Sequence, residues 1–162
     1  MINRMTSALL ETWYERWADR LFAVACSLLT HPSDAEDAVH DVFINLMGIN
    51  LPEDEAAYLF TALRHAVARR WRDRQRRRQV DVSTLEDVPQ SPHEPPDADV
   101  ELTAALNTLT LEQRLVLSLK IDAGLTFAQV ASACGINANT AASRYRYALE
   151  HLRDRLRARE RS

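Results

Sequence analysis

The chain has 162 residues, 46% of them hydrophobic, and a formal net charge of −3, which allows one compact domain or two small ones and excludes wholesale disorder. No apolar run reaches membrane length and no signal peptide opens the chain, so it reads as a cytoplasmic protein with no membrane insertion. Cys26 and Cys134 are far apart and outside any C-x-x-C, which argues against a zinc site or a disulfide framework and makes each a small core residue.

The charge is segregated along the chain. Residues 1–63 carry 3 arginines against 10 acids, net −7, and residues 64–79 carry 8 arginines against Asp73 alone, net +7. Residues 80–101 hold 7 acids and no base, net −7, and residues 102–162 hold 9 bases against 5 acids, net +4. Such alternation suggests different faces for different partners rather than dispersed surface charge. Only three glycines and long 3.6-residue periodicities predict an all-α protein.

From about Ser7 to Leu29, Leu10, Trp13, Trp17, Leu21, Val24 and Leu28 recur at spacings of three and four, the stripe of a core-facing helix. His31-Pro32 ends it. Ser33 and Glu36 form a capping box that opens a second helix, with Ala35, Ala38, Val39, Val42, Phe43 and Leu46 as its buried stripe. Asp34, Asp37, Asp41 and Asn45 align on another face. The helix dipole accounts for acids in the first turn, but Asp41 lies two turns in, which makes an acidic docking face for a basic partner the sharper reading. No metal-ligand cluster forms there.

A long helix is predicted from Glu55 to Gln79. Leu59, Leu63, Ala66, Val67 and Trp71 face its core, and His65, Arg69, Arg72 and Arg76 share the solvent side. Arg64, Arg70, Arg74, Arg77 and Arg78 widen the positive surface. Their mutual repulsion calls for a relieving anion, and nucleic acid phosphate supplies one through counterion release. Pro89, Pro92, Pro95 and Pro96 then exclude helix from residues 80–101, an extended acidic linker between domains at 1–79 and 102–162.

In the second domain a helix covers Leu102 to Leu109, and Thr110 with Gln113 caps another that ends at Gly124. Thr126 and Gln129 repeat that capping box, so a short helix starts at Phe127, with Val130 and Ala131 on its apolar side. Gly135 supplies a sharp turn, and Asn137 caps a last helix from Ala138 that runs through Leu149, Leu152 and Leu156. This helix carries Thr140, Ser143, Arg144, Arg146 and Tyr147, short polar and arginine side chains suited to the edges and phosphates of a major groove.

The order of these parts resembles a bacterial extracytoplasmic-function (ECF) sigma factor of RNA polymerase, of the minimal two-domain kind. SDAEDAVHDVFINLM resembles region 2.2, AAYLFTALRHAVARRWRDRQRRR resembles regions 2.3 and 2.4, and LTLEQRLVLSLKIDAGLTFAQVASACGINANTAASRYRYALEHLR resembles region 4. The resemblance implies two small helical domains, no enzymatic activity and no cofactor. It implies core RNA polymerase as a partner, through its β′ clamp helices and β subunit, with Asp34, Asp37, Asp41 and Phe43 docking on the clamp. It implies −10 recognition through Arg64, His65, Arg69, Arg72 and Arg76. It also implies −35 recognition, with Ser143, Arg146 and Tyr147 near base edges and Thr140 and Arg144 near phosphates. The acidic linker would enter a positively lined channel of the polymerase. Many relatives are held by an anti-sigma factor, which adds a third class of partner.

Some positions depart from the family pattern. His65 stands where Asn is common, Arg69 where Asp is common, and Tyr58 where Trp is common. Ala142 replaces a basic residue, Ala128 and Gln129 an acidic pair, and Thr110 a proline. These touch promoter specificity rather than the sigma reading. The rival is a stand-alone helix-turn-helix regulator, which would have no use for the acidic face at Asp34–Asp41.

Overall fold

The computed structural model describes residues 3–80 and 100–162; the predicted linker falls almost wholly outside them. Seven helices are found among the described residues: α1 (Ser7–Leu28), α2 (Pro32–Ile44), α3 (Glu55–Val80), α4 (Val100–Leu106), α5 (Leu111–Ile121), α6 (Phe127–Cys134) and α7 (Ala138–Glu160). An isolated antiparallel bridge joins Arg4 to Asn50 and ties the start of the chain to the segment before α3.

Local chemistry accounts for most of the helix ends. Thr6 caps α1, its hydroxyl accepting from the Leu9 N–H at 3.3 Å. The capping box expected at Ser33 and Glu36 does not form. Helix α2 begins two residues earlier, with Pro32 in its first turn, and its N-cap His31 makes no side-chain cap bond. Proline's fixed φ already fits the first turn and it removes one orphan N–H, and the Asp34 N–H is met by the His31 carbonyl at 3.1 Å instead of by a side chain. Asp54 caps α3 by accepting from the Ala57 N–H at 3.0 Å. Both predicted Thr-x-x-Gln boxes form, at Thr110–Gln113 and Thr126–Gln129. Helix α4 starts two residues before the predicted Leu102 and ends three before Leu109.

Helices α1, α2 and α3 pack around Trp17, Leu21, Val24, Leu46, Leu59, Phe60 and Leu63. The Trp17 ring meets Phe60 edge-on at 6.0 Å, and its indole N–H donates to Glu55 Oε1 at 3.0 Å. That burial does not stop at α3. The same cluster continues through Val116 and Leu119 of α5, Val130, Ala131 and Ala133 of α6, and Ala141 of α7. A second, smaller core of Ala105, Leu109, Leu117, Ala148 and Leu152 lies between α4, α5 and α7. Helix α5 therefore serves two cores with its two faces.

Three core assignments need correction. Trp71 is 37% exposed and lines the surface clefts rather than the core. Cys26 is exposed and Cys134 is only partly buried.

Candidate nucleic-acid interface

The helix-turn-helix is built from backbone constraints that its sequence encodes. Gly135 adopts φ 68°, ψ 34°, the left-handed conformation in which a Cβ is strained. Its N–H reaches the carbonyls of Ala131 and Ser132, and the Ile136 N–H bonds back to Ala131 O at 3.0 Å. This closes α6 as a left-handed C-cap. Asn137 Oδ1 then accepts from the Thr140 N–H at 2.8 Å and starts α7. Phe127 of α6 meets Tyr145 of α7 edge-on at 5.6 Å, and this contact fixes how α7 rolls about its axis. With Tyr145, Ala141 and Ala148 turned inward, Arg146 and Tyr147 face out. Tyr147 is 54% exposed, and the Arg146 guanidinium lies over its ring at 5.3 Å. Thr140, Ser143 and Arg144 are partly buried at the edge of this face.

The turn before α6 is fixed from α5. Lys120 Nζ donates to Leu125 O at 3.0 Å and sits 4.5 Å from the centre of the Phe127 ring. The lone lysine of the chain is thus a brace for the motif and not part of a basic surface.

On α3 the predicted basic surface splits into two groups. His65, Arg69, Arg72 and Arg76 are exposed and follow one side of the helix. Arg70 and Arg74 do not widen that surface. Arg70 Nη2 pairs with Asp41 Oδ2 at 2.9 Å, and Arg74 pairs with Asp34. Packing α2 against α3 brings the acids of one helix onto arginines of the other, so part of the repulsion along α3 is relieved within the protein. The expected acidic face is correspondingly a paired one. Asp34 and Asp41 are engaged and partly buried, while Asp37 is exposed. Phe43, grouped with them from sequence, is 7% exposed and packs edge-on against Tyr14 at 5.0 Å, which makes it a core residue.

Arg64 also differs from expectation. It is partly buried, and its Nε donates to the carbonyl of Ala133 at 2.8 Å, a contact from α3 to the end of α6. Beside it lies a cleft of about 510 Å³ lined by Arg64, Val67, Arg72, Leu115, Cys134 and Arg144, among others. Burial raises the Cys134 thiol pKa, opposed in part by Arg64 and Arg144. A larger groove of about 900 Å³, open between α1, α4, α5 and α7, is lined by Leu28, Trp71, Leu106, Leu117, Ile121 and Leu152, with Arg114 in its wall. The Arg114 Nε is buried without a hydrogen-bond partner among the described residues, and burial lowers its pKa. Sequence reading passed over Arg114, although an arginine set inside the apolar run LEQRLVLSL was a visible signal.

Among the described residues no group of three His, Cys, Asp or Glu side chains is placed to hold a metal ion. No described helix is long and apolar enough to cross a membrane. What the two basic helices offer is charge and hydrogen-bond donors on exposed faces, the equipment of a nucleic-acid binder.

Comparison with known proteins agrees with this geometry. The sigma-70 region 2 family matches residues 13–77 and the sigma-70 region 4 family matches residues 99–152. The chain is 31% identical over 133 residues to the ECF RNA polymerase sigma factor SigF of Caulobacter vibrioides, covering 78% of this chain and 73% of that protein. It also resembles the sigma factor RpoE of Bartonella quintana, solved in complex with the anti-sigma factor NepR. There the TM-score is 0.75 at 25% identity over 91% of this chain and 96% of that one. A likeness in fold alone links it to CnrH, solved with the cytosolic domain of CnrY, at TM-score 0.68 and 18% identity, covering 94% and 90%. The protein is a member of the ECF sigma factor family, with a role in transcription initiation and no enzymatic activity of its own.

Proposed function

We propose that this chain binds core RNA polymerase and directs it to promoters by reading a −10 element with α3 and a −35 element with α7. The carrying observation is the pair of exposed basic faces on α3 and α7, each held by its own packing. On α3, His65, Arg69, Arg72 and Arg76 form the −10 face; Arg64 belongs to it only once its bond to Ala133 is released. On α7, Ser143, Arg146 and Tyr147 would approach base edges, with Thr140 and Arg144 at the side where phosphates would run. The polymerase would meet Asp37 first, the exposed carboxylate of α2, while Asp34 and Asp41 are already matched by arginines. Arginine excess alone also suits non-specific DNA binding. The Caulobacter relative's identity as an RNA polymerase sigma factor favours polymerase recruitment over a stand-alone regulator.

The test is reconstitution with bacterial core polymerase and transcription from a genomic fragment library. Co-elution with core and new start sites sharing two spaced motifs are expected. Absence of core binding, with specific binding of duplex DNA by the free chain, would establish the stand-alone regulator. Within the same reading, an anti-sigma partner fits the groove beside Arg114. RpoE was solved with such a factor, and the apolar lining of the groove, with Ile121 59% exposed beside Leu106 and Leu152, suits the apolar face of a partner helix.

A further inference from the structure

The cleft of about 510 Å³ beside α3 gathers positive charge that nothing in the protein neutralises. Arg64 and Arg72 of α3 and Arg144 of α7 all line it. Arg64 and Arg144 both favour the thiolate of Cys134, against the burial that raises its pKa, so both guanidiniums stand near that sulfur. Among the described residues no carboxylate pairs with any of the three, whereas Arg70 and Arg74 of the same helix are paired. Glu112 is the one acid among the described residues of the lining, which leaves an excess of positive charge. Like charges gathered around one cleft repel, and an anion that enters relieves them.

The rest of the wall is apolar and aromatic. Val67, Leu111 and Leu115 line it, and Trp71, 37% exposed, adds an indole ring. Arg64, Val67, Trp71 and Gln75 follow one another along α3 at spacings of three and four, so a single face of the helix presents them to the cleft. Arg64 gives its Nε to Ala133 O at 2.8 Å, which orients the guanidinium and leaves its Nη groups to donate.

We infer that this cleft is a nucleotide site, taking a nucleoside di- or triphosphate with its phosphates on Arg64, Arg72 and Arg144 and its base against Trp71. Guanidinium forks match phosphate oxygens bidentately, and three of them suit a chain of phosphates better than a single carboxylate. A flat base supplies the stacking partner that a half-exposed indole lacks. The volume lies within the range of about 300–1,000 Å³ usual for small-molecule sites. An occupied site engages Arg72 and Arg144, so nucleotide and promoter DNA would compete for them. That consequence rests on the promoter reading proposed above; the site itself does not.

Calorimetric titration of the free chain, with neither DNA nor polymerase present, tests the site alone. Metal-free ATP should bind with a Kd below about 1 mM at about 0.15 M salt. Inorganic triphosphate should bind more weakly and adenosine should not register, since each lacks one half of the ligand. Arg72→Ala and Arg144→Ala should each weaken ATP binding about tenfold, the low end for a hydrogen bond to a charged group. Arg72 is exposed, so its replacement leaves the fold intact. Trp71→Leu should weaken ATP about fivefold or more and leave inorganic triphosphate unchanged. Arg153→Ala, exposed on α7 and outside the cleft, should alter neither. In the chain carrying Cys26→Ser, saturating ATP should slow alkylation of Cys134 by iodoacetamide, because that thiol lines the same cleft.

Absence of ATP binding overturns the site. So does an Arg153→Ala loss equal to that of Arg144→Ala, which would reduce the binding to diffuse attraction, or a Cys134 that ATP leaves unprotected, which would put the nucleotide elsewhere. Equal affinities for ATP and inorganic triphosphate, untouched by Trp71→Leu, overturn the nucleotide and leave a polyphosphate site. Failure of this titration leaves the promoter reading standing, and failure of reconstitution with core polymerase leaves this site standing.

Discussion

Helices α3 and α7 are both rich in arginine, and they dispose of that charge in different ways. Helix α3 runs through the middle of the molecule, with Leu59, Phe60, Leu63, Ala66 and Val67 buried against α1, α2 and α6. Arg70 and Arg74 are paired with Asp41 and Asp34 of α2, and Arg64 is bonded to α6. Its basic face is what remains after these internal claims. Helix α7 is peripheral, held through Ala141, Ala148 and Leu152, and its Arg146 is stabilised over the neighbouring Tyr147 ring rather than by a carboxylate from another helix. Where arginines of one helix are half-buried against a neighbour, carboxylates of that neighbour can pair with them; where a helix faces solvent, water and counterions screen its charge.

Core substitutions should separate the two helices most sharply. Phe60→Ala empties a fully buried site in the large cluster and should cost about 3–5 kcal/mol, whereas Leu152→Ala in the smaller core should fall at the low end of about 2–5 kcal/mol. Urea denaturation of both variants measures this, and equal losses would mean that the two cores are equivalent supports.

Arg146→Ala should weaken −35 recognition by about 1–3 kcal/mol and flatten sequence preference at the contacted base. Uniform loss across sequences in a competition assay would reassign Arg146 to phosphate and make the two faces alike.

Gly135→Ala forces a side chain into φ 68° and should destabilise the turn by about 1–2 kcal/mol. The melting temperature reports it; an unchanged value would show that the backbone there relaxes freely.

The smallest effect belongs to the α2–α3 ion pairs. Both members of the Arg70–Asp41 pair are partly exposed, at 20% and 38%, so a double-mutant cycle should return a coupling of about 0.2–1 kcal/mol. A coupling above that range would make the pair a principal strut of α3 rather than local neutralisation.

The helix-turn-helix was legible in the sequence because its signals act within a few residues. Thr126 and Gln129 satisfy backbone groups one turn away, Gly135 relieves a strain at its own φ, and Asn137 caps the helix that follows it. The aromatic and leucine stripe of α1 was equally readable, since helix periodicity states which face is buried. Where a second local device competed, the reading slipped: Pro32 started α2 before the Ser33 and Glu36 pair could act. Phe43, read as part of the buried stripe of α2, is buried there at 7% exposure.

Composition, periodicity and capping chemistry fixed the all-α architecture, the two basic helices and the turn between α6 and α7, because each depends on residues in contact along the chain. Tertiary structure alone decided which charges stay free. Asp41 meets Arg70 across 29 residues, Arg64 meets Ala133 across 69, and Asp54 meets Gln129 across 75. No periodicity within a helix specifies such partners. They follow from how α2, α3 and α6 cross, and that crossing is set by the fit of buried side chains contributed by distant parts of the sequence.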